Sequence, residues 1–301
     1  MASTKSILVS GATGKQGGAL IKQLLAAQPD PPFQILALTR STTSAKAQAL
    51  ASEPNVSLVE GNLDDCDAIF TKTGRVWGVF SVQSPLASGA SVVTEEKQGK
   101  ALVNAAVANG VQYFVYTSVD RGGPKSDEDP TNIPHFISKF RVEKHLIEKA
   151  ATTNMGWTIL RPTAFFDNFT ADLVGKVFTA AYRQMGEKKL QFIASTDIGH
   201  FAAEAFRHPE ENNKQSISLA GDDLSFPEAI GIFKEEFGHP MPVAFRILGT
   251  LFRYMISDVG KMFTWFETDG YGANVGELRK QHPALLDFRH WLRAESAFKK
   301  Q

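Results

Sequence analysis

The sequence predicts an α/β protein: a doubly wound parallel sheet followed by a smaller, mostly helical C-terminal lobe. Three observations carry this. The short apolar run Ile7-Leu8-Val9 ends in a turn with glycines at 11, 14 and 17, and a helical pattern follows at once. Strand and helix signals then alternate five times up to Ser118, the pattern of βαβ units. From Pro240 the text changes to helical stretches that carry Phe245, Phe252, Tyr254, Phe263, Trp265 and Phe266.

The first run is too short for a helix and is bounded by glycine, so it reads as a buried strand. In the turn one glycine allows a sharp bend, one lets the backbone approach a pyrophosphate, and one lets the helix pack on the strand. The helix N-terminus then faces the phosphates. This context makes the sheet Rossmann-type. Pro29, Pro31 and Pro32 end the helix, and residues 35–39 form the second strand, closed by Arg40. An acid at that strand end serves the 2′-hydroxyl of NAD, whereas an arginine suits the 2′-phosphate of NADP. Arg40 therefore favours NADP, with Lys15 as a second positive charge; the plainer alternative is a solvated arginine. After a weak helix over 44–52, residues 56–60 make the third strand. Asn62 and its neighbours stand where an adenine amine could be bonded, and Asp64 or Asp65 could equally cap the next helix.

Residues 76–82 form the fourth strand, whose end at Val82, Gln83 and Ser84 borders the same ligand edge. A helix over about 92–109 stops at Gly110. Residues 113–118 form the fifth strand. The loop 119–133, with Gly122-Gly123-Pro124 and a run of acids, reads as exposed and mobile. Pro134 opens a helix to about Ala151 on which His135 and Lys139 share one face. Residues 157–161 form a sixth strand, and the segment from Pro162 leaves its carboxyl end. Residues 190–193 and 216–220 read as late strands, and Ser225-Phe-Pro-Glu228 is a capping box. The expected division is a dinucleotide-binding domain over 1–160, to whose sheet segments within about 190–220 return, and a smaller substrate or regulatory lobe, mainly 161–301. The lobe's aromatics read first as core and second as an apolar substrate wall.

Bulk properties exclude several classes. Lys plus Arg and Asp plus Glu are both 32, so the formal net charge is zero and direct nucleic-acid binding is not expected. The one cysteine, Cys66, forbids an internal disulfide and points to a reducing compartment. No apolar run approaches the roughly 18 residues of a membrane span, and the first residues lack a signal-peptide core. A cytoplasmic protein is expected. The seven histidines are scattered without ligand spacing, so no metal is expected, and no Gly-x-Ser-x-Gly elbow supports hydrolysis.

The motifs Gly11-Ala-Thr-Gly-Lys-Gln-Gly-Gly18, Leu38-Thr39-Arg40, Leu160-Arg-Pro-Thr-Ala-Phe-Phe-Asp-Asn-Phe169 and Asp197-Ile-Gly-His-Phe-Ala-Ala203 together resemble the NmrA-like family, an atypical branch of the short-chain dehydrogenases/reductases. The resemblance covers about residues 5–240. It implies a Rossmann domain that binds NADP(H) and a smaller C-terminal lobe. It also implies one of two roles: a reductase of quinones, isoflavonoids or related compounds, or a redox sensor that regulates a protein partner. The implied cofactor contacts are Gly11, Thr13, Gly14, Lys15, Gln16 and Gly17 in the turn, Thr39 and Arg40, Asn62 and Leu63, Val82, Gln83 and Ser84, Lys139, and Pro162, Thr163, Ala164, Phe165 and Phe166. Ordinary members of the superfamily carry Tyr-x-x-x-Lys on the helix after the fifth strand. Here the segment is His135-x-x-x-Lys139, and Ser118 stands in for the superfamily's serine. Lys139, His135 and Ser118 are thus the catalytic candidates. An imidazole that titrates near neutral pH suits a general acid, and the alternative for His135 is a partly exposed helix residue. The expected function is NADPH-dependent reduction of a small, flat, apolar quinone, enone or carbonyl compound. The alternative is an NADP(H) sensor without turnover, which would extend the expected location to the nucleus.

Overall fold

Short apolar runs separated by capped helices build the first half of the chain. The computed structural model describes residues 4–27, 29, 32–83, 91–255 and 257–299. Strands β1 (Ser6–Val9), β2 (Gln34–Thr39), β3 (Val56–Glu60), β4 (Gly78–Ser81), β5 (Tyr113–Thr117) and β6 (Gly156–Pro162) alternate with helices α1 (Lys15–Ala26), α2 (Ala45–Ala51), α3 (Cys66–Thr73), α4 (Val92–Ala108) and α5 (Pro134–Ala151). Later come β7 (Ala164–Phe165), α6 (Leu173–Tyr182), β8 (Leu190–Ile193), α7 (Ser195–Arg207), α8 (Pro209–Asn212), β9 (Gln215–Leu219), β10 (Asp222–Leu224), α9 (Phe226–Phe237), α10 (Arg246–Met255), α11 (Ser257–Thr268), α12 (Val275–Gln281) and α13 (Phe288–Ala294). Among the described residues no helix is long and apolar enough to cross a membrane.

Seven strands form one sheet in the order β3-β2-β1-β4-β5-β6-β9. The pairings from β3 to β6 are all parallel, with Ile7 opposite Ile35, Leu8 opposite Val79 and Val115 opposite Thr158. Ile7, Leu8 and Val9 are wholly buried, as continuous apolar runs must be in a sheet covered on both faces. Asp65 caps α3 through the amide of Ala68, and Ser91 with Thr94 closes a capping box on α4. Gly110, at φ +68°, follows the Asn109 C-cap.

The chain divides into two compact units. One comprises Met1–Ser118, Ile137–Arg161 and Ile198–Ile217; the other comprises Val119–Phe136, Pro162–Asp197 and Ser218–Gln301. The division is interleaved, because each segment follows the core its side chains join. Leu8, Val79, Phe114, Tyr116 and Ile159 belong to the first core. Ile133 and Phe136 join Phe166, Phe192, Phe263 and Trp291 in the second.

Two expectations are corrected. Of the late strands, only β9 joins the large sheet, beside β6; β8 pairs parallel to β7 and antiparallel to β10 in a separate three-stranded sheet. Its Phe192 stacks on Phe166 at 5.7 Å, so aromatic packing holds β8 in the second unit. The loop 119–133 is exposed only in part: Pro124, Lys125, Asp127, Glu128, Asp129 and Asn132 are exposed, whereas its start turns inward. Asp120 is wholly buried and accepts from the amides of Gly122, Gly123 and Gly272 and the hydroxyl of Ser218. Arg121 is equally buried and donates to the carbonyls of Val119, Ser126 and Asp129. Both charges turn inward because backbone groups satisfy them there.

Candidate functional site

Because β1 to β6 run parallel, their carboxyl ends share one edge, and the strand order reverses between β1 and β4. Ligands of doubly wound sheets bind at such a switch point. The glycine turn leaves β1 at this place. Gly11 has φ +60° and its carbonyl accepts the Gly14 amide at 2.8 Å. A Cβ on Gly17 would lie 2.4 Å from that carbonyl oxygen, and one on Gly11 would lie 2.7 Å from Val82 Cγ1. Side chains are thus excluded at positions 11 and 17. Gly14 is the N-cap of α1, with no side-chain cap and no acid in the first turn. Ser44, Asp65, Ser91 and Asp172 close the starts of α2, α3, α4 and α6 by contrast. The open start of α1 is what an anion-binding helix start requires.

The neighbouring strand ends shape the edge. The Ser10 hydroxyl donates to the Val82 carbonyl at 3.1 Å and accepts the Val82 amide at 2.8 Å, fastening β1 to the end of β4. Gln16 Oε1 accepts the Thr117 hydroxyl at 2.6 Å, which ties the turn to the end of β5. Ser118, 4% exposed, follows and donates its amide to Leu160. Thr39 is buried, and its hydroxyl exchanges hydrogen bonds with the Ser41 backbone. Arg40 is exposed, and no described residue pairs with its guanidinium. Thr13 and Leu63 are half-buried and Lys15 is exposed. The Asn62 amide donates to Asp64 at 2.8 Å while its oxygen accepts the Asp64 amide, so this side chain already shapes the β3–α3 turn. The hydrogen bond from Gln98 holds the Asp64 carboxyl below the usual range. Gln83 is 6% exposed and donates to Ser81 Oγ; Ser84 lies outside the described residues.

The helix α5 carries His135 and Lys139 one turn apart. Lys139 Nζ lies 3.0 Å from Glu95 Oε1, and the Ser138 hydroxyl donates to Glu95 Oε2 at 2.5 Å. Glu95 is 1% exposed. Sequence reasoning missed Glu95 and Ser138. An acid in a first helical turn reads as a partner of the helix dipole, and only the approach of α4 to α5 reveals its second use. Cys66 is buried, and that burial pushes its thiol up to about 11.

The remaining candidates belong to the second unit. His135 is half-buried and packs edge-on to Phe136 at 4.8 Å. Pro162 ends β6, and Thr163 donates its hydroxyl to the Leu219 carbonyl. Ala164 and Phe165 form β7 and are half-buried. The Phe166 ring is wholly buried, stacked on Phe192, Phe288 and Trp291 within 5.7 Å. Packing therefore occupies that side chain, as it does those of Phe263, Trp265 and Phe266. Phe245 is 81% exposed, while the side chains of Phe252 and Tyr254 lie outside the described residues.

A parallel sheet ordered 3-2-1-4-5-6 with this turn at its switch point is a dinucleotide-binding fold. The NmrA-like family matches residues 3–291, and the chain belongs to that family. The NmrA-like family domain-containing oxidoreductase FrzB of a Cladobotryum species is 25% identical over 296 residues, spanning 88% of this chain and 84% of that protein. Quinone oxidoreductase 2 of Escherichia coli K12 is 30% identical over 222 residues, spanning 72% of this chain and 68% of that protein. Its crystal structure with NADPH shares the fold, with a TM-score of 0.70 at 19% identity over 96% of this chain and 99% of that one. The negative transcriptional regulator NmrA, crystallised with NADP, shares it too, with a TM-score of 0.72 at 18% identity over 98% and 96%.

Proposed function

We propose that this protein is an NADPH-dependent reductase of a small, flat, apolar quinone, enone or carbonyl compound. The observation that carries the reading is the turn over residues 11–17, which has no room for a side chain at Gly11 or Gly17 and opens onto a helix that no side chain caps. A pyrophosphate fits there. The exposed Arg40, which no described residue pairs with, supports NADPH over NADH, because its planar fork matches a 2′-phosphate. FrzB and quinone oxidoreductase 2 are named oxidoreductases, which favours reduction over other uses of the fold.

When bound, the cofactor supplies a hydride. The chain binds, orients and moves the proton. In this reading the turn holds the pyrophosphate, Thr39 and Arg40 hold the adenosine phosphate, and Asn62 with Leu63 borders the adenine. Val82 and Gln83 flank the cofactor, Lys139 donates to the nicotinamide ribose, and residues 162–166 border the nicotinamide. His135 or water gives the proton to the substrate oxygen, with Ser118 as a further donor.

A second reading rests on His135, which stands where a tyrosine would pass the proton, and on the likeness to the regulator NmrA. There the protein reports the NADPH/NADP ratio to a protein partner without turnover, which requires two conformations of different cofactor affinity. One experiment separates the two. NADPH binding is titrated, and its oxidation is then followed against a panel of quinones and enones. Turnover that falls in Lys139→Met beyond the loss of affinity supports the reductase. Tight binding without turnover across the panel overturns it in favour of the sensor.

A further inference from the structure

Glu95 is a carboxylate buried at the start of α4, and burying a charge is unfavourable unless partners repay it. A surface acid would serve the helix dipole equally well without the loss of water. The purpose of the burial lies in what Glu95 touches. One oxygen accepts the Ser138 hydroxyl at 2.5 Å; the other lies 3.0 Å from Lys139 Nζ, whose side chain is 12% exposed. A lysine head swings on four methylenes, so a lysine that must meet one ribose needs something to hold it.

Gly99 makes the meeting possible. It stands one turn after Glu95 on α4, where glycine weakens a helix relative to alanine. A Cβ there would lie 2.8 Å from Val142 Cγ2 on α5 and 3.3 Å from Gln83 Oε1 at the end of β4. The bare backbone at 99 lets α4 settle against both, and the same face delivers Glu95 to Lys139.

We infer that Glu95 is the positioning residue of Lys139, the buried counter-ion that fixes the ammonium for the cofactor ribose. This rests on the reading that Lys139 contacts the cofactor. The test uses the full-length protein, with Glu95→Gln, Lys139→Met and the double variant. NADPH affinity is read from nicotinamide fluorescence, and thermal unfolding is read without cofactor. Glu95→Gln keeps the shape and an acceptor for Ser138 while it removes the charge. Each single variant is expected to bind NADPH at least tenfold more weakly, and the double variant no more weakly than Lys139→Met alone. A merely structural Glu95 would lower the unfolding temperature and leave affinity within twofold of wild type. That result, with Lys139→Met still weakened tenfold, overturns the positioning role and leaves Lys139 in place. Additive losses in the double variant overturn it as well. Wild-type affinity in Lys139→Met removes Lys139 from the cofactor and the proposal with it. Should Glu95→Gln fail to fold, Glu95→Asp takes its place. Its shorter reach is expected to weaken NADPH tenfold, and wild-type affinity there overturns the proposal.

Discussion

Arg40 and Lys139 are the two cations whose surroundings differ most in consequence. Arg40 is exposed and pairs with no described residue, so its removal should leave the folded protein intact and withdraw only the bonds proposed to the 2′-phosphate. Charge-assisted hydrogen bonds contribute roughly 1.5–3 kcal/mol. Arg40→Ala should therefore weaken NADPH about 10–100-fold and NADH hardly at all, as a fluorescence titration of both cofactors would register. Equal losses would remove the 2′-phosphate role. Lys139 is different, because it faces a buried carboxylate. Lys139→Met strands Glu95 without its counter-ion, a change that destabilises by about 3–5 kcal/mol. Restoring neutrality with Glu95→Gln in the same chain should recover most of that loss. Urea unfolding of the two variants checks this, and a double variant no more stable than the single denies the pairing.

At the scale of the element, the β1–α1 turn and the α3 cap offer a matched comparison. A Cβ at Gly17 meets the Gly11 backbone, which cannot swing aside, so Gly17→Ala must open the turn. The expected result is a loss of NADPH affinity of more than tenfold with a stability loss of about 1–3 kcal/mol. Asp65 caps α3 by accepting the Ala68 amide at 3.0 Å and takes no part in the turn. Asp65→Ala should destabilise by about 1 kcal/mol and leave NADPH affinity unchanged. Calorimetry with and without cofactor distinguishes the two, because only the Gly17 variant should lose the upward shift that ligand produces.

At the scale of the molecule, each unit has its own core, and charge clusters join its elements. In the second unit Glu236 on α9 accepts from Arg289 and Arg293 on α13. Those guanidinium hydrogen bonds hold its carboxyl down at about 2, against an ordinary 4.5. A depressed acid stabilises the fold above its unfolded value and loses that contribution as pH falls through its folded value. The window here runs from pH 4.5 down to about 2. Glu236→Gln should flatten the decline of urea midpoints across this range, and parallel curves for the two proteins would contradict the link.

Much of this was legible in the sequence, and the reason is locality. The continuous apolar run at residues 7–9, the three glycines, the Ser225–Glu228 capping box and the proline at 134 each act through near neighbours, so their pattern determines strand, turn and helix. Side chains at strand ends could be placed together because a parallel sheet puts every carboxyl end on one edge. What depends on distant partners was not legible. Glu95 and Ser138 are 43 residues apart, and nothing in either neighbourhood announces the other. The acids and glycines of residues 119–133 have the composition of an open loop, yet Asp120 finds the Gly272 amide 152 residues away and turns inward. Residues 190–193 read as a strand, but only the aromatic neighbours of Phe192 decided which sheet they joined. The sequence by itself determined the strands and helices of the parallel sheet, the glycine turn and the edge that the strand ends share. The tertiary structure alone decided which buried charges meet, because burial and pairing arise only when remote segments close over one another.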